Sequence, residues 1–457
     1  MTRRLTCLAC LALAGCGGAV PLPPLPPLPV GPVEAPSGPP PDAGTTLAPV
    51  RDRQVLTLAD CLVLAEGQSE RLGSLLQDIR IAEAQRALAR SSALPKLSAN
   101  ASLFRQEDIG SSSLSNLPER KQTWLSLEQP LFRGFQDLYA IRSAGFQVDA
   151  AERTREGTLL EVRLAVSEAY GRLLSIEQQR EAVASSLTLA RNRLEELKAR
   201  LQVGLSRRTE VLFAEAQVAR NEAQEIQLGG EWADARAFLG FLLGIPVEVP
   251  LAPFPPLQVP SLEPESLTGR ARAGRRDLAA LARQAAAARE AVRAEQAGHW
   301  PSLDLTGNVY GKREGPSEEV DWDLTLLGRL PLFEGGATRA KVREAEAQQR
   351  KAGLALREKR RRIAQDVQEA VSAYQASRAV LDSLEREVAA TRETEELLRE
   401  EVRQGIAPQI EQLTAQDALL TATVSLARQR IDERLAALRL WGILGDFPSL
   451  PPEEESR

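Results

Sequence analysis

A duplication constrains this chain more than any other feature. PLFRG at Pro130–Gly134 returns as PLFEG at Pro331–Gly335, 201 residues further on. At that spacing the match runs on without a gap. Ile141-Arg142 meets Val342-Arg343, VSEA from Val166 meets VQEA from Val367, Gly204 meets Gly405, and Gly244 meets Gly445. Upstream, LPKLSA from Leu94 meets WPSLDL from Trp300 at a spacing of 206. The chain therefore reads as two copies of one unit, residues 55–244 and 264–447, joined by a linker at 245–263.

Each copy changes periodicity in the same order. Leu58 to Ala93 reads as one helix capped by Thr57. Alternation follows: Leu97, Ala99, Ala101 and Leu103 are apolar, while Ser98, Asn100 and Ser102 are polar. A return strand sets Leu125, Leu127 and Leu131 against Gln122, Ser126 and Glu128. Copy two repeats the hairpin, with Leu303, Leu305 and Val309 against Asp304, Thr306 and Asn308, then Trp322, Leu324, Leu326 and Leu330 against Asp323, Thr325 and Arg329.

After PLFRG the apolar residues step by three and four. Leu159, Val162, Val166, Ala169, Leu173, Ile176, Val183, Leu187, Ala190, Leu194, Leu197 and Leu201 form a coiled-coil seam, interrupted only by Arg180. The copy-two seam, from Ile363 to Val402, turns polar at Thr391 and Glu395. Helices over Phe135–Val203 and Gly336–Gln404 would each run about 100 Å. Gly204 and Gly405 stop them, and a shorter helix returns to Gly244 or Gly445. Two shorter helices stacked end to end match one long one.

Composition agrees with long helices: 43% hydrophobic, 4% aromatic, 26% charged. A formal charge of −5 without a basic stripe argues against a nucleic-acid partner. Residues 1–15 read as an export signal, with Arg3 and Arg4 ahead of a short apolar run. Leu13-Ala14-Gly15-Cys16 resembles the bacterial lipobox, which implies lipidation at Cys16, and Gly17 favours an outer-membrane address. Residues 16–54 then form a spacer, with twelve prolines between Pro21 and Pro49. Cys7 and Cys10 leave with the signal, so Cys61 stands alone, packed on a helix face; no metal-ligand cluster is present in the sequence. No later apolar run reaches the ~20 residues of a transmembrane helix.

If this chain spans a membrane, it does so with strands. Four strands are too few to close a barrel, for which about eight are needed, so closure requires several copies. Trp124, Trp300, Trp322, Tyr310, Phe132 and Phe333 lie in or beside the strands, where an aromatic girdle is expected.

The order helix, hairpin, PLFxG, long helix, glycine turn, helix, written twice after a lipobox, resembles the TolC-like outer membrane factors of the lipoprotein type, over essentially Val55–Phe447. LTLADCLVLA from Leu56 and RRDL from Arg275 look like the starts of the two copies, the latter with Arg where Pro is common. The resemblance implies a mixed α and β membrane protein: a homotrimeric channel-tunnel whose 12-stranded β-barrel, four strands per protomer, continues into a long α-helical coiled-coil barrel. It implies a passive outer-membrane exit duct of a tripartite efflux pump, or alternatively of a type I protein secretion system. The partners would be a periplasmic adaptor (membrane fusion protein), an inner-membrane pump and outer-membrane lipid, with no cofactor and no nucleic acid. Val203-Gly204-Leu205 with Thr209 resembles the adaptor-docking tip; Gly405 with Pro408 is a poorer match. Pro130, Phe132 and Gly134, and Pro331, Phe333 and Gly335, would be the corners where strand becomes helix, each Pro ending the strand ladder.

Ser98, Asn100, Asp304, Thr306, Asp323 and Arg329 should face the lumen. Glu395, Glu396, Glu400 and Glu401, near the copy-two tip, are candidates for a charged constriction. His299, the single histidine, abuts Trp300-Pro301, and neither a nucleophile motif nor a P-loop is present, so no catalytic residue and no enzyme is expected. The alternative of another class is a periplasmic coiled-coil scaffold lipoprotein without a pore, which would not need alternating strands.

Overall fold

The computed structural model describes residues 55–105, 119–314 and 317–449. The signal segment, Cys16 with its spacer, and residues 450–457 of the C-terminal tail expected at 448–457 lie outside the described residues.

Thr57 opens the first helix, α1 (Leu58–Gln68), through a reciprocal cap: its hydroxyl oxygen accepts from the Asp60 backbone N–H at 3.2 Å, and the Asp60 carboxylate accepts from the Thr57 backbone N–H at 3.2 Å. The expected single helix to Ala93 breaks at Ser69. Its backbone is extended there, and its hydroxyl accepts from the Leu72 N–H, starting α2 (Glu70–Ser91). Strands β1 (Lys96–Arg105) and β2 (Glu119–Arg133) lead into α3 (Gln136–Gln202) and α4 (Arg208–Leu243). Copy two gives α5 (Pro264–Gly274), α6 (Arg276–Gln296), β3 (Ser302–Arg313), β4 (Trp322–Arg329), α7 (Ala337–Arg403) and α8 (Gln409–Ile443). Arg275 is the cap residue of α6 and thus the counterpart of Ser69, not of Leu56. RRDL therefore marks the second helix of its copy, and α5 is the counterpart of α1.

The helices form a wall of four lanes. Long helix α3 packs on α2 and α6 along its first half and on α4 and α8 along its second; α7 packs on α6 and then α8. In the second half the seam read from sequence is buried as expected: Val183, Leu187, Ala190, Leu194 and Leu197 of α3 turn inward, with Leu194 and Leu197 packed on Val211 and Ala214 of α4. Each leucine so buried contributes about 1.5–3 kcal/mol. The α7 seam closes likewise, Leu381 and Val388 meeting Ala422 and Leu426 of α8.

The stacked short helices abut at two glycines. A Cβ on Gly244 (φ +70°) would come 3.0 Å from the Gln68 side chain, and one on Gly445 (φ +79°) would come 2.6 Å from the Gly274 backbone. Around this level the linker is a strap rather than a loose connection. Leu56 and Leu251 form a parallel bridge, Phe254 is buried, and the Tyr170 hydroxyl donates to the carbonyls of Leu56 and Ala252 at 3.1 and 2.5 Å. Trp441 Nε1 donates to the Gln258 carbonyl at 2.8 Å, tying the strap to α8.

Cys61 lies fully buried at this level. Burial, and then the neighbouring Asp60 carboxylate, push its thiol up to about 12.

Candidate functional site

The strands make one antiparallel sheet in the order β1-β2-β3-β4. Its register aligns Ser98 with Ser126, Asn100 with Trp124, Glu128 with Thr306, and Thr306 with Thr325. Paired residues share a face, so Ser98, Asn100, Asp304, Thr306, Asp323 and Arg329 all fall on one side. Polar side chains there satisfy one another. Asn308 Nδ2 and the Tyr310 hydroxyl each donate to Asp323 at 2.8 Å, and Arg133 pairs with Asp304 at 3.1 Å.

The opposite face carries Leu97, Leu103, Leu125, Leu127, Val309, Trp322, Leu324 and Leu326. All of these are exposed, between 48% and 72%. Burial is inverted relative to a water-soluble sheet: Ser126 on the polar face is buried while its flanking leucines are bare. Such a face suits hydrocarbon, provided the backbone edges are closed. Among the described residues β1 and β4 each pair on one side only. No helix among the described residues is long and apolar enough to cross a membrane.

The six aromatics do not form one girdle. Trp124 and Tyr310 lie on the polar face, ring centroids 6.4 Å apart, with Arg313 stacked 4.1 Å over Tyr310. Phe132, paired with Leu303, and Trp322 lie on the apolar face. Trp300 flanks the corner at Gly134, and Phe333 is 88% exposed. Alternation alone set the faces, and residue type did not.

The two corners differ although their sequences echo. In copy one Pro130 does not end the ladder: it lies within β2, opposite Asp304, and a register shift follows before Phe132. The bulge accommodates the missing proline N–H. In copy two β4 stops at Arg329, and Pro331, Leu332 and Phe333 have no strand partner. The difference follows position: β2 has β3 beside it, whereas β4 is an edge strand among the described residues of one chain. Past the corner, Gly134 (φ +60°) and Gly335 (φ +62°) turn the chain, and a Cβ on Gly134 would come 2.6 Å from Trp300 Cβ.

At the far end the two tips share a geometry. Gly204 (φ +78°) lets Leu205 N–H reach the Arg200 carbonyl at 2.8 Å, and Gly405 (φ +76°) lets Ile406 N–H reach that of Glu401 at 2.9 Å. Val203, Leu205 and Ile406 project, 69–77% exposed, and Thr209 is exposed beside them. The tips differ in capping. Glu210 accepts from the Ser206 hydroxyl at 2.5 Å and from the Arg207 N–H at 3.1 Å, bonds that hold its carboxyl below the usual range. In copy two Pro408 replaces Arg207 and has no N–H to offer Glu411.

Of the four tip glutamates, Glu395 leaves the constriction set. It continues the Leu381, Val388 seven-residue step, is 2% exposed against α8, pairs with Arg399, and accepts from Gln416 Nε2 at 3.2 Å. Glu396 and Glu401 are exposed, and Glu400 pairs with Arg403 at 2.6 Å. A buried polar network nearby escaped sequence reading. Gln217 Nε2 donates to Asp417 at 2.9 Å, Asn221 Nδ2 to Ser186 at 3.1 Å, and Arg193 to Gln412 at 3.0 Å, linking α3, α4 and α8. Its signal was available: on α4 the apolar steps Val211 and Ala214 pass to Gln217 and Asn221 before Leu228 resumes.

Residues 62–245 and 267–446 match the family model described as outer membrane efflux protein. The alkaline protease secretion protein AprF of Pseudomonas aeruginosa is 26% identical over 407 residues, covering 85% of this chain and 84% of that one. The pyoverdine export outer membrane protein OpmQ of Pseudomonas putida is 26% identical over 408 residues, 85% of each. The crystal structure of the outer membrane protein VceC from Vibrio cholerae superposes with a TM-score of 0.75 at 20% identity, covering 85% of this chain and 96% of that one.

Proposed function

This chain belongs to the outer membrane efflux protein family, and from that membership we propose how its parts work as an exit duct. Three copies complete a twelve-stranded barrel in the outer membrane, and their helices continue it as a tunnel into the periplasm. We read the duct as passive, with direction supplied by an inner-membrane pump reached through a periplasmic adaptor. We assign export of small molecules to this pairing.

The inverted sheet carries the reading. A scaffold without a pore has no use for a row of bare leucines backed by hydrogen-bonded polar side chains. Ser98, Asn100, Asp304, Thr306, Asp323 and Arg329 would then line the lumen. Val203, Gly204, Leu205 and Thr209 form the adaptor-docking tip, with Gly405 and Ile406 as its second copy. Glu396, Glu400 and Glu401 remain the constriction candidates, and opening is a change of packing between α4, α8 and the long helices. Cys16 carries the lipid anchor.

Single-channel recording in planar bilayers tests the duct directly. Purified trimer should give discrete, long-lived conductance steps. A folded trimer that inserts without conducting would sink the reading in favour of a scaffold.

A further inference from the structure

We infer that neighbouring copies dock through a charge-reversed version of a joint that each copy already contains, with Arg357 of one copy meeting Glu70 of the next. This rests on the trimeric reading above and adds which side chains make the seam between copies.

The internal joint is α6 on α3. Arg276 pairs with Glu156 at 3.1 Å and Arg283 with Asp149 at 3.6 Å. Between these pairs and the sheet, Ser143 Oγ donates to the Ala287 carbonyl at 3.0 Å, and Ala287, Glu290 and Ala294 are buried. The short helix supplies the bases here and the long helix supplies the acids.

The duplication says which residues occupy the same places at the free edges. At the 206-residue spacing, α6 maps onto α2: Arg276 falls on Glu70, Arg283 on Gln77, Ala287 on Ile81 and Ala294 on Leu88. At the 201-residue spacing, α3 maps onto α7: Asp149 falls on Arg350 and Glu156 on Arg357. At about 100° per residue, Glu70, Gln77, Ile81 and Leu88 lie opposite the face of α2 that packs on α3. Arg350, Leu354 and Arg357 lie opposite the face of α7 that packs on α6.

All of these residues are uncovered. Ile81, Leu88 and Leu354 are 55%, 69% and 58% exposed, and Glu70, Gln77, Arg350 and Arg357 are exposed as well. Neither Glu70 nor Arg357 has an ion pair among the described residues, and Arg350 has only a loose one, 3.7 Å from Glu346.

Polarity is therefore inverted where Arg276 and Glu156 have their counterparts: the free long helix carries Arg357 (and Arg350), and the free short helix carries Glu70, with neutral Gln77 at the second position. The inversion has a consequence for assembly. The α7 edge cannot accept a surface of the α6 type, because Arg357 would face Arg276. It accepts only the edge bearing Glu70, which a copy offers on its opposite side. The ring then alternates inner and outer joints without the two being interchangeable, a use of repulsion as well as attraction. Ile81, Leu88 and Leu354 supply the apolar contact beside the charges.

The test is charge reversal with rescue on the full chain in detergent. Glu70→Arg and Arg357→Glu should each put like charges at every seam and lower the trimer fraction, by up to about fivefold per joint. The double variant Glu70→Arg/Arg357→Glu should return to within about twofold of the original. Independently, Glu70→Cys with Arg357→Cys, treated in native membranes with a short bifunctional maleimide, should yield covalent trimers, since buried Cys61 does not compete. If the unaltered chain is trimeric but both single reversals leave it so and no cross-link forms, the docking surface is wrong while the duct stands. If the unaltered chain is not a trimer, both fall.

Discussion

Phe135 stands where the second copy has Gly336, and it keeps the glycine's conformation. Its φ is +65°, against +86° for Gly336, and among the described residues it is the only non-glycine with a positive φ. That conformation costs an L-residue about 1–2 kcal/mol. The ring offsets part of this by meeting Phe132 edge-on, centroids 5.3 Å apart. The usual order of substitutions should therefore reverse. In a helix, Ala is normally better than Gly by about 1 kcal/mol; here Phe135→Ala keeps the strain and loses the ring, whereas Phe135→Gly loses the ring and the strain together. Thermal unfolding of the trimer should place Phe135→Gly above Phe135→Ala by about 1 kcal/mol. Equal midpoints would mean that the left-handed backbone carries no strain. Neither position could have been ranked from the sequence. The gap-free repeat aligns Phe135 with Gly336, but only the backbone shows that both are left-handed.

At the scale of elements, what was legible is what repeats locally. The α3 seam from Val183 to Leu197 followed from three- and four-residue steps, and the sheet faces followed from alternation. What escaped depends on neighbours distant in sequence. Tyr170 of α3 is buried where the strap closes over it, its ring against Phe254, and neighbouring Gly171 faces Ile431 and Leu435 of α8; the strap itself has no period to read. Arg275 shows the same limit. RRDL looked like the start of a copy, yet Arg275 is a clamp between helices: it pairs with Asp277 and with Asp366, each at 2.8 Å, while Lys359 of α7 pairs with Asp277 at 2.7 Å. Burial opposes ionisation of Asp277, but Arg275 and Lys359 outweigh it and bring the carboxyl from its ordinary 3.8 down to about 2. A carboxyl depressed in the folded state stabilises fully above the unfolded value and loses that contribution as pH falls through the folded one. The α6–α7 contact should thus be insensitive to pH from about 5 to 8 and weaken from about pH 4 toward 2. Unfolding followed against pH should show this acid limb, and Asp277→Asn should flatten it while lowering stability at neutral pH. An unchanged limb in that variant would assign the acid sensitivity to other carboxylates.

For the whole molecule, the corner sequences pose the decisive comparison. Pro130, Phe132 and Arg133 of PLFRG pair within the sheet, whereas PLFEG follows β4 outside any strand, and nothing local explains the difference. β4 is an edge strand within one chain, and its exposed leucines suit a sheet that neighbouring copies close into the family's barrel. Membrane insertion and assembly should then be a single event, because backbone edges are tolerated in hydrocarbon only when closed. Adjacent residues of β4 can separate the two faces. Leu324 is 62% exposed on the apolar face beside Gly307, and Thr325 pairs with Thr306 on the polar one. Leu324→Arg should cost about 2–4 kcal/mol per copy if it sits near the bilayer midplane, a cost met three times in each trimer. Assembled, heat-modifiable trimer in outer-membrane fractions should fall sharply. Thr325→Arg adds the same charge one residue along and should assemble normally. In planar bilayers under a salt gradient it should shift the reversal potential toward anions, because three new cations line the lumen. If the two variants assemble equally well, the leucine face does not meet lipid; if Thr325→Arg is the one that fails, the faces have been assigned the wrong way round. The outward leucines would then need a protein partner, not lipid, to cover them.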